Sequence, residues 1–127
     1  MPSIRYVHNV ISVATLSALV ETTILFFLIR YVFKDKKIPS SRLLFAGIFA
    51  TYATNPYVNF VFPRLMAWPL NTAVLSSEVF VFFVEALFYR LFLGVDWKVA
   101  FALSLICNFC SWLVTFLLRS QGVSFSW

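Results

Sequence analysis

The sequence predicts an all-α fold: an integral membrane bundle of four transmembrane helices. Two observations carry that reading. Only 12% of the 127 residues are charged and 61% are hydrophobic, whereas a soluble domain carries about 25% charged residues. The apolar residues also gather into four stretches, each near the ~20 residues that a helix needs to cross ~30 Å of hydrocarbon. Strands are excluded on the same ground, because four strands cannot close a barrel and an open sheet leaves backbone groups unsatisfied in lipid. The length fits a single membrane domain over residues 1–127, with almost nothing left for a soluble module.

The first stretch, residues 7–29, follows Arg5 and has the outline of a secretory signal, but it runs past Glu21 to Ile29 and is too long for one. It is expected to be a membrane span. The segment from Lys34 to Arg42 breaks the apolar pattern, and Pro39, Ser40 and Ser41 prepare the next helix start. The second span covers residues 43–62 and contains Thr54-Asn55-Pro56. A proline there removes one backbone hydrogen bond and crowds the Tyr52 carbonyl, so a kink is expected. The second loop, 63–71, holds two prolines, Arg64 and Trp68, and is expected at the headgroup level. The third and fourth spans, 72–93 and 99–118, are joined by the short Gly94-Val95-Asp96-Trp97-Lys98 segment. So short a link makes them antiparallel neighbours.

The net charge of +5 does not form a nucleic-acid stripe, because the basic residues sit in short loops between apolar spans. They read as topology determinants. Arg30, Lys34, Lys36, Lys37, Arg42, Arg90 and Lys98 fall on one side, and Arg5, Arg64 and Arg119 on the other. The excess places loops one and three in the cytoplasm and both termini outside, in a multi-pass protein of the cell membrane.

Three of the five acidic residues, Glu21, Glu78 and Glu85, lie inside these spans. A carboxylate at a helix centre costs roughly +2.5 to +3.5 kcal/mol on insertion scales, so each needs a partner, a proton or a water-filled cavity. The third span holds Glu78 and Glu85 seven residues apart, on one face and ~10 Å apart along the axis. Its thirteen Leu, Val and Phe residues between Val74 and Leu93 supply roughly −4 to −8 kcal/mol, against about +5 to +7 for two ionised carboxylates. The balance is near zero. The span is therefore stable only with its glutamates neutralised or turned onto protein, and Glu85, with no cation within a turn, is expected to be uncharged at neutral pH.

The fourth span supplies a matching surface. Ser104, Asn108, Ser111 and Thr115 recur at spacings of four, three and four, which sets them on one stripe of the kind that joins membrane helices. Counting from the helix ends places Glu21, Asn55, Glu85 and Asn108 near mid-span, with Glu78 nearer the outer side at the level of Asn59 and His8. Glu21, Asn55, Glu78, Glu85 and Asn108 are the candidate intramembrane polar or ion site. Two carboxyls and two amides at one depth form either a hydrogen-bonded specificity device or a proton or cation site.

Cys107 and Cys110 form the only cysteine pair, a Cys-x-x-Cys at mid-span. Four helices with such a pair resemble the vitamin K epoxide reductase group of membrane disulfide enzymes, but the further cysteines that group uses are missing here. The placement of Glu21 in the first helix is similar to that in the small multidrug resistance transporters, also four-helix chains. Their glycine-rich helix packing is not matched, since this chain has three glycines. His8 is the sole histidine, so no metal-ligand spacing emerges. No nucleophile–base pair, phosphate loop or cofactor signature is present, and an enzyme is not expected.

Two functions of different classes follow. One is an accessory or structural subunit of a larger membrane complex, with other membrane subunits or further copies of the chain as partners. The other is a small proton- or cation-coupled transporter using Glu21 and Glu85. The orientation is tested by thiol labelling of intact cells with an impermeant reagent. Lys36→Cys should be protected from outside, and Arg64→Cys should react; the opposite pattern reverses the orientation.

Overall fold

A computed structural model describes residues 3–58 and 70–122, and within them the chain forms four helices and no strand. Helix α1 spans Ile4–Phe27 and continues through a π-helical turn, Leu28–Val32. Helices α2, α3 and α4 span Ser40–Pro56, Leu70–Leu93 and Trp97–Ser120. Arg64, Trp68 and Asn59, with the rest of the second loop up to residue 69, lie outside the described residues.

Each helix starts or ends where the backbone chemistry dictates. Pro39 is extended (φ −61°, ψ 143°), and its carbonyl accepts the Arg42 and Leu43 amides, so α2 begins at Ser40 rather than at Leu43. Gly94 takes a left-handed φ of +68°, which ends α3 at the position where glycine costs least. The Asp96 carbonyl accepts the Ala100 amide at 2.8 Å, and this sets the start of α4 at Trp97, two residues before the apolar stretch. Pro56 closes the α-helical part of α2, and the chain continues through a wider π-type turn at Tyr57 and Val58.

The first loop is organised by Arg30. Its guanidinium donates to the Asp35 carbonyl (2.8 Å), the Ile38 carbonyl (2.5 Å) and the Ser40 hydroxyl (3.3 Å), and it lies over the Phe26 ring. Arginine's fixed fork suits this task, because two loop carbonyls and a hydroxyl converge on it. Within the same loop Lys34 takes the left-handed region (φ 55°), an uncommon conformation for a residue with a Cβ.

The helices pack in ring order, α1 against α2, α2 against α3, α3 against α4, and α4 back against α1. Helices α1 and α3 thus stand on one diagonal. Loops one and three lie at the same end, where both line a cleft of about 290 Å³ bounded by Ile29, Asp35, Asp96 and Val99 among others. The segments Val7–Val32 and Trp97–Leu118 are long and apolar enough to cross a membrane. Helix α3 matches α1 and α4 at 24 residues, about 36 Å, but carries Glu78, Glu85 and Arg90. Helix α2 has 17 residues.

The distribution of side chains is inverted relative to a water-soluble bundle. Large apolar residues cover the outside of every helix: Leu19 (64% exposed) on α1, Phe45 on α2, Leu91 (69%) on α3, and Leu105 and Phe109 on α4. The inside is small and polar at mid-bundle, with Glu21, Thr22, Thr51, Thr54, Ser77, Glu85, Ser104 and Ser111 buried beside Ala14, Ala18, Ala46 and Ala50, and larger apolar side chains such as Leu25, Ile29, Leu43 and Leu103 fill it toward the loop end. Small residues let backbones approach closely, and the tightest approach is between α1 and α2. A Cβ added at Gly47 would stand 2.6 Å from Thr22 Oγ1 and 3.0 Å from Thr22 Cα. The Gly47 Cα–H bond therefore points at Thr22 Oγ1, which has no hydrogen-bond partner. A weak Cα–H···O contact fits that arrangement.

Gly47→Ala should accordingly separate α1 from α2 and lower stability by about 1–3 kcal/mol, the usual range for overpacking. Thr22→Ala on the same background should restore only part of this, because Thr22 Cα remains in the way. Thermal unfolding of the detergent-solubilised variants measures both; an unchanged melting temperature for Gly47→Ala would contradict the close approach.

Candidate functional site

The polar residues of the interior join into a ring that passes through all four helices. From α1, Glu21 is 3% exposed; from α3, Glu85 is 1% exposed. They reach the centre from opposite corners, close enough for a charge on one to act on the other. Helix α2 supplies a hydroxyl to each. Thr51 Oγ1 lies 2.5 Å from Glu21 Oε2, and Thr54 Oγ1 lies 3.4 Å from Glu85 Oε1. From α4, Asn108 Nδ2 donates to Glu85 Oε2 at 2.6 Å. Ser111 closes the ring toward α1, bonding Ser17 at 3.1 Å and lying beside the Glu21 carboxyl. The Cys107 thiol donates to the Glu21 backbone carbonyl at 3.7 Å. Cys107 and Cys110 are both free thiols, the first of them packed into the core.

The stripe on α4 faces inward along its length. Ser104 Oγ donates to the Phe82 carbonyl of α3 at 2.8 Å, and Thr115 Oγ1 bonds the Ser111 carbonyl on its own helix at 3.0 Å. Asn108 Nδ2 also donates to the Ser104 carbonyl at 2.8 Å, which fixes the orientation of the amide. Turned over, its oxygen would face that carbonyl oxygen. Glu85 is therefore the acceptor in its bond with Asn108, not the donor that a protonated Glu–Asn pair suggests.

Asn55 and Glu78 stand apart from this centre. Asn55 is half-buried, and its Nδ2 donates to the Thr51 carbonyl of its own helix at 3.0 Å. Glu78 is exposed, and among the described residues no hydrogen bond reaches it. The positions that sequence reasoning passed over are Thr51 and Thr54. A signal existed: Gly47, Ala50, Thr51 and Thr54 share one face of α2 at helical spacing, and every one of them is buried. Threonine on a small-residue face reads as packing until a carboxyl is found opposite it.

The hydroxyls give the site a specific chemical capacity. Thr51 Oγ1 lies within reach of both Glu21 and the Gly47 carbonyl (3.0 Å), yet carries one proton. With Glu21 ionised, that proton goes to the carboxylate. With Glu21 protonated, the acid donates to the hydroxyl, which turns its own proton to the Gly47 carbonyl. Thr54 has the same choice between Glu85 and the carbonyls of Ala50 (3.0 Å) and Thr51 (3.1 Å). Rotation of these hydroxyls alone would satisfy either protonation state of the two acids, without moving backbone.

Among the described residues no cation neutralises the pair: the charged groups acting on the two carboxyls are other carboxyls. Arg90 lies 5.9 Å from the Trp97 ring centroid at the loop end, and Arg30 is committed to loop one. No group of three metal-ligating side chains occurs among the described residues.

A double-mutant cycle of Glu85→Ala and Asn108→Ala should give a coupling between about 0.6 and 1.7 kcal/mol, the average and the largest values for hydrogen bonds between membrane helices. Reversible unfolding in mixed micelles reads it, and strict additivity would remove the α3–α4 bond from the ring. No family model, curated protein or solved structure matches the chain, so its function is argued from this geometry.

Proposed function

We propose that the chain is a four-span integral membrane protein whose polar ring carries a proton or cation, making it a small coupled transporter with Glu21 and Glu85 as carriers. The observation that supports this best is the burial of two carboxyls, 3% and 1% exposed, from diagonal helices within electrostatic reach of each other and with no cation beside them among the described residues. Replacing a buried ionic group by well-packed apolar residues is often neutral or stabilising, so stability alone is a poor reason to hold two acids there. Ionisable groups inside a membrane mark ion pathways, proton relays or ligand counter-ions.

The lipid setting is supported by the inverted surface. Contiguous apolar patches beyond a few hundred Å² are rare on soluble monomers, and here Leu, Phe, Ile and Trp side chains cover the outside of all four helices. Helix α3 enters this reading despite its acids, because Glu85 faces the ring and Arg90 lies at the loop end over Trp97. The cell membrane, with loops one and three cytoplasmic, remains the orientation that the basic residues favour.

A second reading has its own support. The carboxyls are hydrogen-bonded within the ring to side chains of neighbouring helices, which is also what a scaffold subunit needs to fix helix register. In that case the chain is an accessory subunit of a larger membrane assembly, with other subunits or copies of itself as partners.

Glu21→Gln and Glu85→Gln distinguish the two. Glutamine keeps an acceptor for Thr51 or Asn108 and so preserves the fold, but it cannot bind and release a proton. In proteoliposomes under an imposed pH gradient, either change should abolish proton movement, while Glu78→Gln should leave it intact. Silent glutamine variants, together with a stoichiometric partner recovered in mild detergent, would establish the subunit reading instead.

A further inference from the structure

Between the ring and the loop-side cleft lies an apolar plug formed by Leu25, Ile29, Leu43 and Leu103. One polar side chain is embedded in it. Tyr89 is fully buried, and among the described residues its hydroxyl meets no oxygen or nitrogen partner, only the Cys107 sulfur beside it, a weak acceptor without good hydrogen-bond geometry. A buried hydroxyl without a partner costs about 1–3 kcal/mol, so such a group calls for an explanation.

Its position supplies one. Tyr89 lies four residues beyond Glu85 on α3, one turn and ~6 Å nearer the loop end, on the same face. Long side chains on a helix lean back toward its N-terminus, which for Tyr89 means toward Glu85. The titratable groups acting on its hydroxyl are Glu85 from its own helix, Cys107 from α4 and Glu21 from α1. Helix α2 presents to the ring only the hydroxyls of Thr51 and Thr54. In the other direction Ile29, two turns below Glu21 on α1, is shared by the plug and the cleft wall. The Tyr89 level therefore lies between the carboxyls and the cleft, in the stretch where leucine and isoleucine offer a proton nothing to bind.

We propose that the Tyr89 hydroxyl, with a bound water, is the relay through which protons pass between the loop-side cleft and the Glu21–Glu85 pair. This rests on the proton-carrier reading above and names its route of access. In the step, a hydronium ion on the cleft side gives a proton to the Tyr89 oxygen and is left as water, while the phenol passes its own proton to the Glu85 carboxylate, which is left as the neutral acid. One O–H bond forms and one breaks at the tyrosine, which ends unchanged, and no electrons are transferred.

Tyr89→Phe tests the relay, since it removes one oxygen, keeps the ring and adds no volume. The readout is the rate at which the Glu85 carboxyl band in the infrared spectrum shifts when reconstituted protein is moved into D₂O, the band being assigned by its loss in Glu85→Gln. The relay requires exchange to slow by about tenfold or more in Tyr89→Phe, as expected for losing a hydrogen-bonding group on the route. The melting temperature checks that the fold is kept. An unchanged exchange rate overturns the relay, and a raised melting temperature beside it identifies Tyr89 as an orphaned hydroxyl with no water. Failure here differs from failure of the transport reading: proton movement lost in Glu85→Gln but exchange unaltered in Tyr89→Phe leaves the carriers in place and only this route refuted.

Discussion

The fold is organised by two carboxyls that meet from opposite corners of the bundle. Glu21 and Glu85 belong to helices that do not flank one another, so both reach the central axis instead of a shared seam. A buried carboxyl must find donors or a proton, and here the donors come from the two remaining helices: Thr51 and Thr54 on α2, Asn108 and Ser111 on α4. Each helix is thereby bound to the next by a polar contact at one level. A shift of any helix by one turn, about 5.4 Å, would leave at least one acid without its partner. Polar contacts that do little for net stability still set register in this way.

Close helix packing follows from the same requirement. Short side chains such as threonine and serine reach a central carboxyl only when backbones approach, and the faces of α1 and α2 are correspondingly small: Ala14, Ala18 and Thr22 against Ala46, Gly47 and Ala50. At this level the large residues are displaced outward, and those that are buried, such as Leu25, Ile29 and Leu43, lie toward the loop end. Phenylalanines of α2 and α3 still pair across the outer seam, as in the edge-to-face contact of Phe49 with Phe88 at 5.4 Å. In a bilayer such rings cost nothing to expose, and the interior polar contacts supply the specificity that a hydrophobic core provides in water.

The loop end holds the helices at the depth this layer needs. Arg30 gathers the first loop onto the end of α1, and Gly94 with Asp96 turns α3 into α4 within three residues. The two loops together form the cleft that faces the apolar plug, so one end of the bundle carries both the structural anchor and the access route argued above. Among the described residues, the two buried hydroxyls that lack a well-formed hydrogen bond differ in kind. Thr22 faces the Gly47 Cα–H across a close seam, whereas Tyr89 faces ionisable groups.

Four helices, their approximate limits and the inward stripe of α4 were legible in the sequence, because hydrophobic length and the spacing of Ser104, Asn108 and Ser111 depend on neighbouring residues alone. So was the depth of Glu21 and Glu85, which follows from counting along a helix of fixed rise. What sequence could not decide is which faces meet. Rotation of α2 turns Thr51 and Thr54 toward the carboxyls and leaves Asn55 bonded to its own backbone, yet all three residues sit at nearly the same depth and only the packing of α1 and α3 around α2 separates them. Glu78 shares a face with Glu85 by spacing but lies two turns away, beyond the layer where the four helices supply donors. The direction of the Asn108 bond was also beyond the sequence, since it is fixed by a carbonyl one turn back that becomes a constraint only once Glu85 stands opposite. Local periodicity determines what each helix has to offer. Tertiary contact decides which offers are taken, because a hydrogen bond needs its two atoms within about 3 Å and no one-dimensional pattern carries that distance.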